Sequence, residues 1–83
     1  MDTRAETLAV LDEVLVLKGR TARFTDTTPL LGAVPELDSM AVVSILTMFE
    51  DRFGFEVEDD EIDGSTFATV GSLVDFVRGK RGE

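Results

Sequence analysis

The chain has no cysteine, histidine, tryptophan or tyrosine, and only two prolines in 83 residues. Without cysteine there is no disulfide and no thiol nucleophile; without cysteine or histidine there is no Cys/His zinc site. Ser-His catalysis is excluded on the same ground. Basic residues are scarce, with 8 Lys and Arg against 17 Asp and Glu, for a formal charge of −9. A nucleic-acid backbone requires a basic footprint, and anionic membrane surfaces attract basic segments, so neither is an expected partner. Basic patches on other proteins are, because long-range charge speeds their encounter with an acidic surface. No run is long enough to insert into and span a membrane. Met1-Asp2-Thr3 lacks the basic and apolar regions of a secretory signal, so a cytoplasmic location is expected.

What is present is enough for one small domain, residues 1–83, with 43% apolar content and phenylalanine as the only aromatic. A chain of this size buries only roughly 60% of its unfolded surface. An enclosed multi-residue active site is therefore not expected.

The order of signals along the chain is helical. Thr3 with Glu6 three residues on has capping-box spacing, and Leu8, Leu11, Val14 and Leu15 follow on one face. Lys18-Gly19-Arg20 is the expected stop, with glycine supplying the left-handed turn. Residues 21–37 form a long connection punctuated by Pro29, Gly32 and Pro35, with Leu30 and Leu31 expected to plug the core. A second helix is predicted from Ser39 to Phe53, capped by Asp38 and stopped by Gly54. Its core arc is read as Val42, Val43, Leu46, Phe49 and Phe53, with Met40, Ser44, Thr47 and Asp51 on a separate strip.

Phe55-Glu56-Val57-Glu58 alternates like a strand but has no second strand to pair with, so an extended link is expected. Asp59 to Asp63 reads as one short helical turn holding Ile62 inward, and Phe67 as another plug. Thr69 caps a last helix with core face Val70, Leu73, Val74 and Val77; residues 79–83 read as a frayed polar tail. The expected fold is all-α, an antiparallel four-helix bundle of three main helices, a short third helix and a long first loop.

The chemistry concentrates at Asp38-Ser39. Ser39 presents a primary hydroxyl at a helix N-terminus, where free backbone N–H groups and the helix dipole accommodate a phosphate ester. Asp38 fixes where the helix begins and thereby aids modification of the next residue. Asp59-Asp60-Glu61-Ile62-Asp63-Gly64 has the acids and glycine that open an EF-hand loop. Its twelfth position is Val70 rather than glutamate, so no metal site is expected.

Leu30-Leu31-Gly32, Asp38-Ser39-Met40, Phe49-Glu50-Asp51-Arg52-Phe53-Gly54, the acidic third segment and Thr69-Val70 with Leu73 form an ordered set. This set resembles the acyl carrier protein family over nearly the whole chain. More narrowly, residues 35–43 with 67–73 are similar to the free-standing carriers associated with exosortase and exopolysaccharide gene clusters. The resemblance implies that Ser39 carries 4′-phosphopantetheine, attached from coenzyme A by a phosphopantetheinyl transferase with magnesium. The hydroxyl attacks the β-phosphate of coenzyme A and leaves a phosphodiester. It implies a protein that catalyses nothing itself but delivers acyl thioesters, in fatty acid, polyketide or related lipid metabolism, to its partner enzymes. Partners would be an acyl-loading ligase or synthase and acyl-transfer enzymes with basic docking patches, recognising Met40, Glu50 and Asp51 on a monomeric carrier.

Three alternatives stand beside this. One is an unmodified acidic helical interaction domain; another is a peptidyl or aminoacyl carrier, a type usually less acidic and embedded in long synthetases. The third, a small hydrolase using Asp38 or Glu36 with Ser39, is disfavoured by the missing histidine.

Overall fold

A computed structural model describes residues 2–82 of the chain. Three helices carry the fold: α1 (Thr3–Leu15), α2 (Ser39–Phe53) and α3 (Val70–Arg81), with 3-10 turns at Arg20–Arg23 and Asp59–Glu61. The short third helix expected at 59–63 is thus a single 3-10 turn. No strand occurs among the described residues; one isolated antiparallel bridge joins Pro29 to Thr69. Helix α1 packs against both α2 and α3. The core is Val10, Leu11, Leu15, Leu17, Leu30, Leu37, Ile45, Phe49 and Phe67, closed by the α3 stripe Val70, Leu73, Val74 and Val77.

Helix α1 departs from expectation at both ends. Its N-cap is Asp2, whose carboxylate accepts the Arg4 N–H at 3.0 Å, while Thr3 is buried as the first helical residue. The Thr3 hydroxyl is claimed from elsewhere, accepting from the Arg81 guanidinium at 2.9 Å. The helix stops before the Lys18-Gly19-Arg20 signal because Val16 turns left-handed at φ 53°. That turn drops Leu17 into the core, where it is 1% exposed. Burying a leucine is worth about 1.5–3 kcal/mol, and a left-handed residue costs roughly 1–2 kcal/mol, so burial carries the balance. Val16 itself is 66% exposed and packs little. Val16→Gly is therefore expected to raise stability by up to about 1 kcal/mol, or about 4–8 °C in Tm for a domain of this size. Thermal unfolding followed by circular dichroism checks it; an unchanged or lower Tm contradicts the assigned strain.

The core stripe of α2 is rotated from the predicted one. Ile45, left out of that arc, is fully buried, whereas Val43 is 59% exposed. At about 100° per residue, Phe49 and Phe53 lie roughly 20° either side of Val42, Ile45 about 60° to one side and Val43 about 100° to the other. Val43 therefore faces out with the polar strip.

The long connection is ordered by being zipped onto the start of α3. Leu30 and Leu31 N–H groups donate to Ala68 and Phe67 carbonyls at 2.9 Å each, and Val70 and Gly71 N–H groups donate to Thr28 and Asp26 carbonyls at 3.0 and 2.8 Å. A Cβ on Gly71 would meet the Asp26 carbonyl oxygen at 2.9 Å. Gly71→Ala must push this backbone apart, at an expected cost of about 1–3 kcal/mol. Denaturant titration measures it, and a loss below a few tenths would show that the zipper yields freely.

Helix α3 starts as predicted at Thr69, in a capping box with Ser72: each side chain bonds the other's backbone N–H at 3.1 Å. Its expected frayed end is instead helical through Arg81 and closed by Gly82 at φ 79°. Besides the Arg81 bond to Thr3, Arg81 lies 4.9 Å from the Phe53 ring centroid, and Lys80 Nζ meets the Glu61 carboxylate at 2.8 and 3.0 Å. Glu83 lies outside the described residues.

Candidate functional site

Ser39 is the first residue of α2 and is exposed. Asp38 precedes it in extended conformation, and its Oδ1 accepts the Ala41 N–H at 2.8 Å. The first turn of a helix offers its leading N–H groups no internal acceptor. With Ala41 satisfied by the cap and Val42 donating to the Asp38 carbonyl at 2.9 Å, the Ser39 and Met40 N–H groups have no acceptor among the described residues. No hydrogen bond among the described residues engages that hydroxyl. The arrangement suits a phosphodiester at Ser39, because two donors and the positive end of the helix dipole meet the anion.

An apolar surface adjoins the hydroxyl. Of the four large hydrophobics exposed among the described residues, Met40 (75%) and Val43 (59%) lie one turn apart at the head of α2, and Leu31 (49%) belongs to the connection before it. Ser44, Thr47 and Asp51 continue the exposed strip, as the sequence predicts. Glu50 does not join it. Its carboxylate turns back into the fold, where Oε2 accepts the Val57 N–H at 2.8 Å.

Residues 36–63 hold ten acids and one base, Arg52. Arg52 turns away from them to pair with Glu6 of α1 at 3.3 Å. The acids at the edges of the run are stabilised locally. Glu36 is held below its ordinary carboxylate value by its own backbone N–H and by Arg20, with desolvation opposing. Glu61 is lowered first by the Glu58 backbone N–H and then by Lys80. Asp63 is lowered first by the Ser65 hydroxyl, and it also accepts the Ser65 N–H at 2.9 Å. Its carboxylate thus organises a turn of the backbone.

Asp51, Glu56, Glu58 and Asp60 remain exposed with no cation paired to them among the described residues. Their mutual repulsion is screened by salt over about 8–10 Å. Added sodium or magnesium chloride is expected to raise Tm; a flat or falling Tm would show that the cluster stores no such repulsion.

Between α2 and the 57–62 segment lies a groove of about 340 Å³, lined by Val42, Val43, Leu46 and Ile62, with Thr47, Glu50, Val57 and Glu58 at one end. No described helix is long and apolar enough to cross a membrane.

A sequence model of the family described as "phosphopantetheine attachment site" matches residues 15–77. The solution NMR structure of a holo acyl carrier protein from Nitrosomonas europaea is 44% identical to this chain. The similarity covers 100% of both chains with a TM-score of 0.90. The chain belongs to the acyl carrier protein family.

An acyl carrier protein is a carrier rather than a catalyst. The cofactor of the family is covalently bound 4′-phosphopantetheine. It interacts with phosphopantetheinyl transferase and with acyl-handling enzymes. The unmodified interaction domain is not favoured, since the matched region runs through the serine and its helix.

Proposed function

We propose that this acyl carrier protein bears its arm on Ser39 and shelters the acyl cargo in the groove between α2 and the 57–62 segment. The single observation that carries the reading is an unengaged, exposed serine hydroxyl at the N-terminus of α2, beside two helix-end N–H donors without an acceptor among the described residues. Asp38 holds that geometry by engaging Ala41, so the serine is presented at a defined helix start. When bound, the arm supplies the thiol that this cysteine-free chain lacks. The chain's own part is to present the hydroxyl, to receive the phosphodiester anion at the helix end, and to screen cargo with Val42, Val43, Leu46 and Ile62.

Docking of partner enzymes rests on Met40 and Val43, with Asp51 further along the strip. The exposed acids Asp51, Glu56, Glu58 and Asp60 steer basic enzyme rims towards that face. Partners of this chemistry are an acyl-loading ligase or synthase and acyl-transfer enzymes acting on a monomeric, cytoplasmic domain spanning the whole chain. The likeness of residues 35–43 and 67–73 to exopolysaccharide-associated carriers supports a role in lipid assembly for a surface polymer.

The test is intact-mass measurement after incubation with coenzyme A, magnesium and a broad-specificity transferase, followed by peptide mapping. A gain of one phosphopantetheine on the peptide containing Ser39 supports the reading. Folded protein that gains nothing refutes it.

A further inference from the structure

Glu50 is the one acid lining the cargo groove whose side chain is tied across it, joining α2 to the facing segment through the 2.8 Å bond to Val57 N–H. Beyond it lies a second, more open depression of about 580 Å³, lined by Asp51, Gly54, Phe55 and Glu56. Both depressions share Thr47, Glu50, Val57 and Glu58. The tie therefore stands as a partition, with Val42, Val43, Leu46 and Ile62 on one side and Asp51, Glu56 and the half-buried Phe55 on the other. We infer that Glu50 limits the length of acyl chain the protein shelters, making it a carrier of short to medium chains; this rests on the carrier reading above.

The physical argument is a comparison of gains. Burying one further methylene shifts an equilibrium by about fourfold. From Val42 to Glu50 the helix offers eight residue steps of wall, about 12 Å at 1.5 Å per step. A tail that reaches past Glu50 must displace the carboxylate from the half-buried Val57 N–H, and losing that hydrogen bond to a charged group costs more than one methylene returns. The tail then enters a depression rimmed by Glu50, Asp51, Glu56 and Glu58, where hydrocarbon displaces water from charged groups. Extension beyond the partition gains nothing.

The experiment loads the protein with butanoyl, octanoyl, dodecanoyl or tetradecanoyl pantetheine and follows thioester cleavage by hydroxylamine, with intact mass confirming each loaded form. In the wild type, cleavage is expected to slow several-fold from butanoyl to octanoyl and then to level off. Glu50→Ala, which joins the two depressions, extends the slowing through dodecanoyl. The conservative Glu50→Gln keeps an oxygen for Val57 N–H and restores the levelling. Wild-type protection that keeps growing through tetradecanoyl overturns the inference whether or not the alanine variant folds, and so does an alanine variant that levels off like the wild type. Lability independent of chain length overturns the groove as shelter, and the inference with it, while leaving Ser39 as the attachment point. Failure to gain the arm at all overturns the carrier reading beneath both.

Discussion

Ser39→Ala is expected to abolish phosphopantetheine uptake entirely while melting close to the wild type. The chain has four serines, at 39, 44, 65 and 72, and the first is proposed as the attachment point because it differs from the other three. Ser72 is locked in the α3 capping box, its hydroxyl also donating to the Thr66 and Thr69 carbonyls at 3.0 and 2.9 Å. The Ser65 hydroxyl donates to the Asp63 carboxylate. Ser44 is exposed but sits inside α2, where backbone N–H groups are taken up by the helix and none is free to meet a phosphodiester. Removing an exposed hydroxyl at the first helical position leaves the Asp38 cap intact, and such surface changes usually stay within about 0.5 kcal/mol. Intact mass and a thermal melt on the same sample separate lost chemistry from lost fold. Uptake by Ser39→Ala would move the site elsewhere.

Leu30→Ala is expected to cost about 2–5 kcal/mol, and Leu31→Ala no more than about 0.5 kcal/mol. The two side chains are sequence neighbours, yet Leu30 is fully buried and Leu31 is 49% exposed. Both backbones are fixed by the same pairing with Ala68 and Phe67, so the contrast isolates side-chain burial. A small domain has only about 5–15 kcal/mol of total stability, and the larger value would leave much of Leu30→Ala unfolded at 25 °C. Chemical denaturation of both variants measures the difference; similar costs would mean that the connection does not direct one leucine inward.

Local signals were legible wherever neighbouring residues decide the outcome. Asp38 and Gly54 bracket α2, and Thr69 opens α3, because a cap needs only a side chain and a backbone group within one turn. The α3 stripe Val70, Leu73, Val74 and Val77 is buried as its spacing predicts. The position of Ser39 at the helix start was legible for the same reason, since it follows a cap and opens a helix. The end of α1 was not, since the burial of Leu17 outweighs the better left-handed residue at Gly19. The α3 terminus was misread because Arg81 and Lys80 are held by Phe53, Thr3 and Glu61, at least 19 residues distant in the chain.

From the chain alone come the all-helical class, the exclusion of thiol and histidine chemistry and of Cys/His zinc sites, and one serine set at a helix start in an acidic context. These follow from residue type, period and caps, which act over a turn or less. The packed structure alone decided that Ile45 rather than Val43 faces the core, that Arg52 leaves the acidic face to pair with Glu6, and that Glu50 turns inward to Val57. Each of these depends on which distant segment lies opposite a side chain. Helical periodicity names a face, and only tertiary contact names what that face meets.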